Sequence, residues 1–360
     1  MAQKSFPCGQ CGAELDFQPG TAVLKCAHCG FENPVPEARG QVLEVDYRSA
    51  LVDLERAGDT FERITVKCPA CAAETTLAQD VAAAECPFCG SNIVATGEAR
   101  TAIKPHSVLP FRITRDQAWS AFRSWISKLW FAPSGLKRFA LSDSRFTGLY
   151  IPYWTYDCDT TSDYSGERGD DYWETQHYTA QENGKTVHKT RQVRKTRWRH
   201  VSGRVANSFD DVLVLASRSL PKTTVEKLEP WDIEDLVPYA DEYLSGFRAE
   251  SYQVGLKEGF SNAQQIMDGK IRSTVCADIG GDHQRIHSLE TDYRNITFKH
   301  ILLPVWMSAY RFKDKIFRFL VNARTGEVQG ERPWSVWKIV LLVLAVLAAA
   351  AGVWAIAAMR

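Results

Sequence analysis

The chain has 360 residues, 43 lysines and arginines against 43 aspartates and glutamates, and 45% hydrophobic residues. That composition excludes a disordered chain, and a formal net charge of zero excludes a global electrostatic pull toward nucleic acid or an anionic membrane. The length leads us to expect two or three domains.

Cysteine dominates the first hundred residues. Cys8-x2-Cys11-x14-Cys26-x2-Cys29 is repeated sixty residues on as Cys68-x2-Cys71-x14-Cys86-x2-Cys89. Two Cys-x-x-Cys knuckles joined by a hairpin supply the four thiolates of a tetrahedral metal site, so the pattern predicts two zinc ribbons and two Zn2+ ions. Iron fits the same ligands, and disulfides use the same residues, although paired Cys-x-x-Cys units with no secretory signal point to a reducing compartment. Gly12, Gly30 and Gly90 follow the second cysteine of their knuckles, where a positive φ lets amides turn toward sulfur, whereas Ala72 departs from that rule. Between the ribbons, Tyr47, Ala50, Leu51 and Leu54 recur at helical spacing, with Gly58 as a stop.

After the second ribbon, Leu109-Pro110-Phe111 opens a new unit. Thr114 and Gln117 form a capping box ahead of a helix with Ala118, Phe122, Trp125, Ile126 and Leu129 on its apolar face, expected to dock on a sheet. Strands are expected from Leu149-Tyr150-Ile151-Pro152-Tyr153-Trp154, and again from Leu302-Leu303-Pro304-Val305-Trp306. Because proline cannot donate to a ladder, each should stand at a strand end, an edge or a bulge.

Asn183-Gly184 marks a tight hairpin turn, which places Asp170 opposite Arg197, Trp173 opposite Arg194 and Gln176 opposite Arg191. The stretch from Lys185 to Arg204 is basic, and the acidic stretch from Asp157 to Glu174 folds onto it. Cross-strand neutralisation accounts for much of this charge. Lys189, Arg191, Arg194, Lys195, Arg197 and Arg199 are nevertheless candidate contacts for an anionic surface. Gly184-Lys185-Thr186 imitates a phosphate-binding loop, but Thr179 stands where that loop needs glycine.

Further on, Phe260, Ala263, Met267, Ile271 and Val275 share one face of a long helix ended by Gly280-Gly281. His283 and His287 then fall on a strand start. Leu302 to Phe312 and Lys315 to Val321 make a hairpin closed by Lys313-Asp314, and Asn322 to Val328 turns into a final short strand. Residues 339–359 carry no charge, which predicts one transmembrane helix with Trp334, Trp337 and Lys338 at its entry. Cys158 and Cys276 are isolated and read as small buried residues. No nucleophile elbow, dinucleotide fingerprint or zincin motif is present, so the chain is expected not to be an enzyme.

The fold class expected is multidomain α+β. Zinc ribbons span 1–36 and 63–98 around a helical spacer at 37–62, a β-rich α+β domain spans 104–333, and a transmembrane helix spans 337–359. Redox state and flanking charge place the N-terminal bulk in the cytoplasm of a single-pass inner-membrane protein.

The paired ribbons, Leu109-Pro110-Phe111, Ile151-Pro152-Tyr153-Trp154, Leu303-Pro304-Val305-Trp306 with Tyr310, and Asn322 to Val328 together resemble the bacterial TFIIB-type zinc-ribbon membrane proteins over nearly the whole chain. Members are often labelled primosomal helicase-like, but no helicase motor is present here. The resemblance implies a membrane-bound adaptor working with SPFH (flotillin-like) and phage-shock proteins in envelope stress. The eight cysteines are the only residues whose role carries over. The alternative is a membrane-tethered regulator that binds nucleic acid through its ribbons and the basic 185–204 strand, which salt-dependent binding would reveal.

Overall fold

The computed structural model describes residues 6–35, 42–55, 60–68, 74–77, 83–86, 92–94, 98–131, 133, 146–182, 185–312, 315–331 and 334–358. Three short strands, β1 (Leu15–Phe17), β2 (Val23–Cys26) and β3 (Glu32–Pro34), form the first ribbon. Strand β4 (Val45–Asp46) runs into helix α1 (Tyr47–Glu55). The segment that carries the second cysteine set contains β5 (Thr60–Lys67), β6 (Glu74–Leu77), β7 (Ala83–Glu85), β8 (Asn92–Val94) and β9 (Glu98–Ile103). Then come β10 (Ser107–Val108), α2 (Arg115–Ser127) and two very long strands, β11 (Thr147–Glu182) and β12 (Lys185–Leu215). A single turn, α3 (Lys222–Val225), and the strand pieces β13 (Val237–Pro238) and β14 (Arg248–Ala249) lead to α4 (Leu256–Ile279). The last elements are β15 (His283–Phe312), β16 (Lys315–Asn322), β17 (Val328–Gly330) and α5 (Val336–Ala358).

Among the described residues one nine-stranded sheet dominates, with β11 running antiparallel between β12 and β15. Residues of β11 alternate between its faces, as a two-residue period requires. Leu149, Ile151 and Tyr153 enter a core with Leu220, Val225, Leu228 and Trp231, while Trp154, Tyr156, Cys158 and Tyr164 enter one built against α4. Trp154 donates its indole N–H to Val254 O (2.8 Å) and Tyr156 its hydroxyl to Leu256 O (2.7 Å), so both large rings are buried without an unmet donor. Phe260, Ala263, Met267, Ile271 and Val275 are all buried, as their helical spacing predicts. Cys158 is buried beside Met267, which leaves it a packing residue.

Helix α4 lies close against the sheet at Gly259. A Cβ there would lie 2.4 Å from Tyr156 Oη and 2.8 Å from Trp154 Cδ1. Gly259→Ala should therefore force the helix outward and destabilise the protein by about 2 kcal/mol, read as a lower urea midpoint. An unchanged midpoint would show that the contact is slack.

Helix α2 starts with the predicted capping box, Thr114 Oγ1 accepting from Gln117 N (3.3 Å) and Gln117 Oε1 from Thr114 N (2.8 Å). Its Phe122 stacks on Phe319 of β16 with ring centroids 3.8 Å apart, which fulfils the expected docking on a sheet.

The prolines depart in part from expectation. Pro152 and Pro304 lie inside strands, paired with Leu302 and Tyr150. However, Pro152 O accepts from Ala216 N and Pro304 O from Ala323 N, each at the point where the neighbouring strand stops pairing. In a strand, a residue's N and O point to the same neighbour, so each missing N–H falls where the ladder ends.

The expected fold class needs correction. The protein is mostly one large β-sheet, and the first ribbon is not a free module: Leu15, Phe17 and Leu24 share a core with Phe111, Tyr150 and Tyr243. Phe17 packs edge-on to Tyr243 at 5.3 Å, and Phe17 N donates to Ser245 O (3.1 Å).

The transmembrane helix over 337–359 is also corrected, and with it the single-pass inner-membrane placement. No helix among the described residues is long and apolar enough to cross a membrane. Helix α5 opens Val336-Trp337-Lys338, so a charged residue stands in its first turn. Lys338 Nζ donates to Trp130 O (3.1 Å) and Ser335 N to Phe131 O (2.8 Å), which fastens the base of α5 to the end of α2. Beyond that base, Leu341, Val343, Leu344 and Leu347 are exposed.

Candidate metal centre and β arm

The first four cysteines converge as their spacing predicts. Cys8 Sγ and Cys29 Sγ are 3.6 Å apart, as are Cys11 Sγ and Cys26 Sγ, and all four sulfurs lie within 4.8 Å of one another. A tetrahedral ion with metal–sulfur bonds of about 2.3 Å needs sulfurs about 3.8 Å apart, whereas a disulfide needs about 2.05 Å. The four residues are therefore positioned to hold one metal ion.

The two knuckles are built alike. Gly12 N donates to Cys8 O (2.9 Å) and Gly30 N to Cys26 O (3.0 Å), with φ of 76° and 74° at the two glycines. Gln10 N and Cys29 N in turn point at Cys8 Sγ and Cys26 Sγ, each at 3.4 Å. Burial alone would raise the Cys8 thiol, but the amides of Cys11 and Gln10 and the neighbouring thiols outweigh it and bring Cys8 down to about 6. The Cys29 amide is the largest influence lowering Cys26. Backbone amides thus prepare Cys8 and Cys26 for the thiolate form that binds metal, whereas at Cys29 the Phe31 amide is outweighed by burial and the three neighbouring sulfurs, which push the thiol up to about 12.

In the second set, Cys68 and Cys86 are buried at 1% and 2% exposure within the core that holds Leu149 and Leu303. Cys71 and Cys89 lie outside the described residues, as do Gly58, Ala72 and Gly90.

A second charged cluster was not foreseen from the sequence. At Asp157 both outer strands carry an extra residue: the register against β12 shifts between Tyr156 and Cys158, and against β15 between Asp157 and Asp159. Asp211 and Asn295, the bulged residues, take φ of 51°. Asp157 accepts a hydrogen bond from the Asp211 amide, which the bulge removes from the ladder. Lys299, its side chain 7% exposed, reaches Asp211 (2.7 Å), Glu44 (3.3 Å) and Asp157 (3.8 Å). Glu44, Asp157 and Asp210 also have metal-ligand spacing, but the Lys299 ammonium already supplies a cation to Glu44 and Asp157. One lysine cannot neutralise them all. Burial, with the charges of Glu44 and Asp211, raises Asp157 to about 6 despite the Asp211 amide and Lys299. A lysine within the apolar run from Ile296 to Leu303 was the available signal.

The hairpin has the register that Asn183-Gly184 predicts: Asp170↔Arg197, Trp173↔Arg194 and Gln176↔Arg191. Strand β15 stops pairing at Gly169↔His283, and β11 and β12 continue for about 40 Å as a two-stranded arm. Trp173 is 68% exposed on it, and Tyr172 and Tyr178 are also exposed.

Of the six candidate basic residues, three bond to carboxylates. Arg194 pairs with Asp171, Lys195 with Glu174, and Arg199 with Asp170 (2.8 Å). The guanidinium of Arg197 lies over the Tyr172 ring at 5.1 Å, so its rung partner Asp170 bonds Arg168 and Arg199 instead. Arg191 lies over Tyr178 at 5.7 Å and donates to Gln176 Oε1. Lys189 stands opposite Tyr178. His283 and His287 fall on the start of β15 as predicted, beside Asp171 and Glu167.

No protein-family model matches this chain, and no solved structure matches it. The chain is similar to the uncharacterized protein YdjG of Bacillus subtilis (strain 168), 25% identical over 347 residues that cover 93% of this chain and 92% of that protein.

Proposed function

We propose that the protein is a non-enzymatic scaffold, its N-terminal ribbon stabilised by zinc, that recruits a protein partner through the β11–β12 arm. The arm carries this reading. Isolated two-stranded hairpins are marginal in water, yet this one extends well past its third strand and bears an exposed tryptophan and two exposed tyrosines. Aromatic side chains of that kind anchor protein interfaces.

Zinc is favoured for the first site because four thiolates satisfy it without a geometric preference of its own. Elemental analysis should find zinc in the purified protein, and Cys11→Ser should lower its content. Iron in zinc's place would overturn the metal assignment.

The recruiting role is tested with a photo-crosslinking residue at Trp173 in the full chain, expressed in its own host. Protease-sensitive adducts at that position, with few at an α4 position such as Gln265, are the expected result. The flotillin-like and phage-shock proteins implied by the family resemblance are the first to seek among them. Nuclease-sensitive adducts would instead support the nucleic-acid regulator, and the absence of adducts would remove the arm from the mechanism. Pairing of Arg194, Lys195 and Arg199 with carboxylates on the same arm weighs against the nucleic-acid reading.

A further inference from the structure

The charge of the arm is divided between its two faces. Residues opposite each other in an antiparallel pair share a face, as do residues two apart along a strand. From the Arg168↔Arg199 rung to the Tyr178↔Lys189 rung, one face thus collects Arg168, Lys189, Arg191, Lys195, Arg197 and Arg199 against Asp170 and Glu174. The other pairs Arg194 with Asp171 and otherwise carries Trp173, Thr175, His177, Thr190, Gln192, Thr196 and Trp198. Nearly all of the arm's excess positive charge is on one side.

That side continues the surface that α4 covers. Tyr156, Cys158 and Tyr164 face α4, and Tyr164 bonds Asp278 in its last turn (2.5 Å). The helix ends at Gly280 and Gly281, whose Cβ positions would meet Arg168. Beyond Arg168 the same face runs on without α4.

We propose that this face binds an acidic peptide segment of a partner protein, with carboxylates seated on Arg191 and Arg197. The inference rests on the scaffold reading and supplies its partner chemistry. Both guanidiniums lie over tyrosine rings, so their planar forks are ordered before a carboxylate arrives, and less entropy is lost on binding. A peptide can space its acids to avoid Asp170 and Glu174. A nucleic-acid strand, charged at every phosphate, must pass them.

The test compares poly-L-glutamate with an oligothymidylate of equal charge, each binding the full-length protein at one salt concentration, followed by fluorescence anisotropy. Poly-L-glutamate should bind more tightly than the oligonucleotide. Arg191→Ala with Arg197→Ala should weaken peptide binding about tenfold, and Arg194→Gln on the opposite face should change it less than about twofold. Arg191→Lys with Arg197→Lys keeps the charge but loses the fork; it should fall between wild type and the alanine pair, and it serves if the alanine pair misfolds. Peptide affinity unchanged in both double variants, no peptide binding, or tighter binding of the oligonucleotide would each overturn the proposal. If the Trp173 adducts persist in that event, the arm still recruits a partner and only its acidic character is wrong.

Discussion

Stripping the ion from Cys8, Cys11, Cys26 and Cys29 should unfold residues 6–35 while the sheet from Thr147 to Phe312 stays ordered. A structural metal contributes on the order of 10 kcal/mol to a module of this size. The apolar side chains that dock the ribbon, chiefly Leu15, Phe17 and Leu24, contribute roughly 5 kcal/mol together. Ordering some thirty residues opposes both terms, so docking alone does not hold the ribbon and the metal decides. Trypsin should cut after Lys25 in β2 once a chelator is added, and Cys26→Ser should open the same site without one. Protection of Lys25 in metal-free protein would mean that the hydrophobic contact suffices.

The second large effect is expected at Lys299. Lys299→Met keeps most of the buried stem but leaves Asp157 and Asp211 without their cation, a change that costs about 3–5 kcal/mol when one partner of a buried pair is removed. Burial lowers the lysine's affinity for its proton, but the Asp211 bond and the surrounding carboxylates outweigh that and raise it. Its pairing therefore contributes fully at neutral pH and is lost only at strongly alkaline pH. Asp157 acts the other way. Its folded-state pKa of about 6 exceeds the ordinary 3.8, so the folded protein holds more protons between those values and stability falls as pH rises through that window. Urea midpoints should accordingly be higher near pH 4.5 than near pH 7 in wild type, as far as this group is concerned, and Asp157→Asn should flatten that difference. A slope that survives Asp157→Asn would place the titrating group elsewhere.

What the sequence made legible was local. The spacing of Cys8, Cys11, Cys26 and Cys29 located one set of metal ligands, Thr114 and Gln117 marked the start of α2, and Asn183-Gly184 set the hairpin register to the residue, because each depends on neighbours close in sequence. The length of β11 could not be read the same way. Its outer part, Asp170 to Glu182, is rich in charged and polar residues and reads as surface, and only pairing with β12 carries the strand on past the point where β15 leaves it. The bulges at Asp157 were hidden for a related reason: an extra residue in each outer strand shows only against its partner. At α5 the apolar composition predicted a membrane span that the described structure does not supply.

Among the described residues, strand β12 closes one side of the sheet along its whole length. A bare edge of that extent invites copies of the chain to zip together into fibrils, but antiparallel self-pairing would bring the cations of one arm against those of the next. The same arginines and lysines thereby act as a colloidal safeguard. Neutralising them should make the protein clump on storage even where its fold is intact.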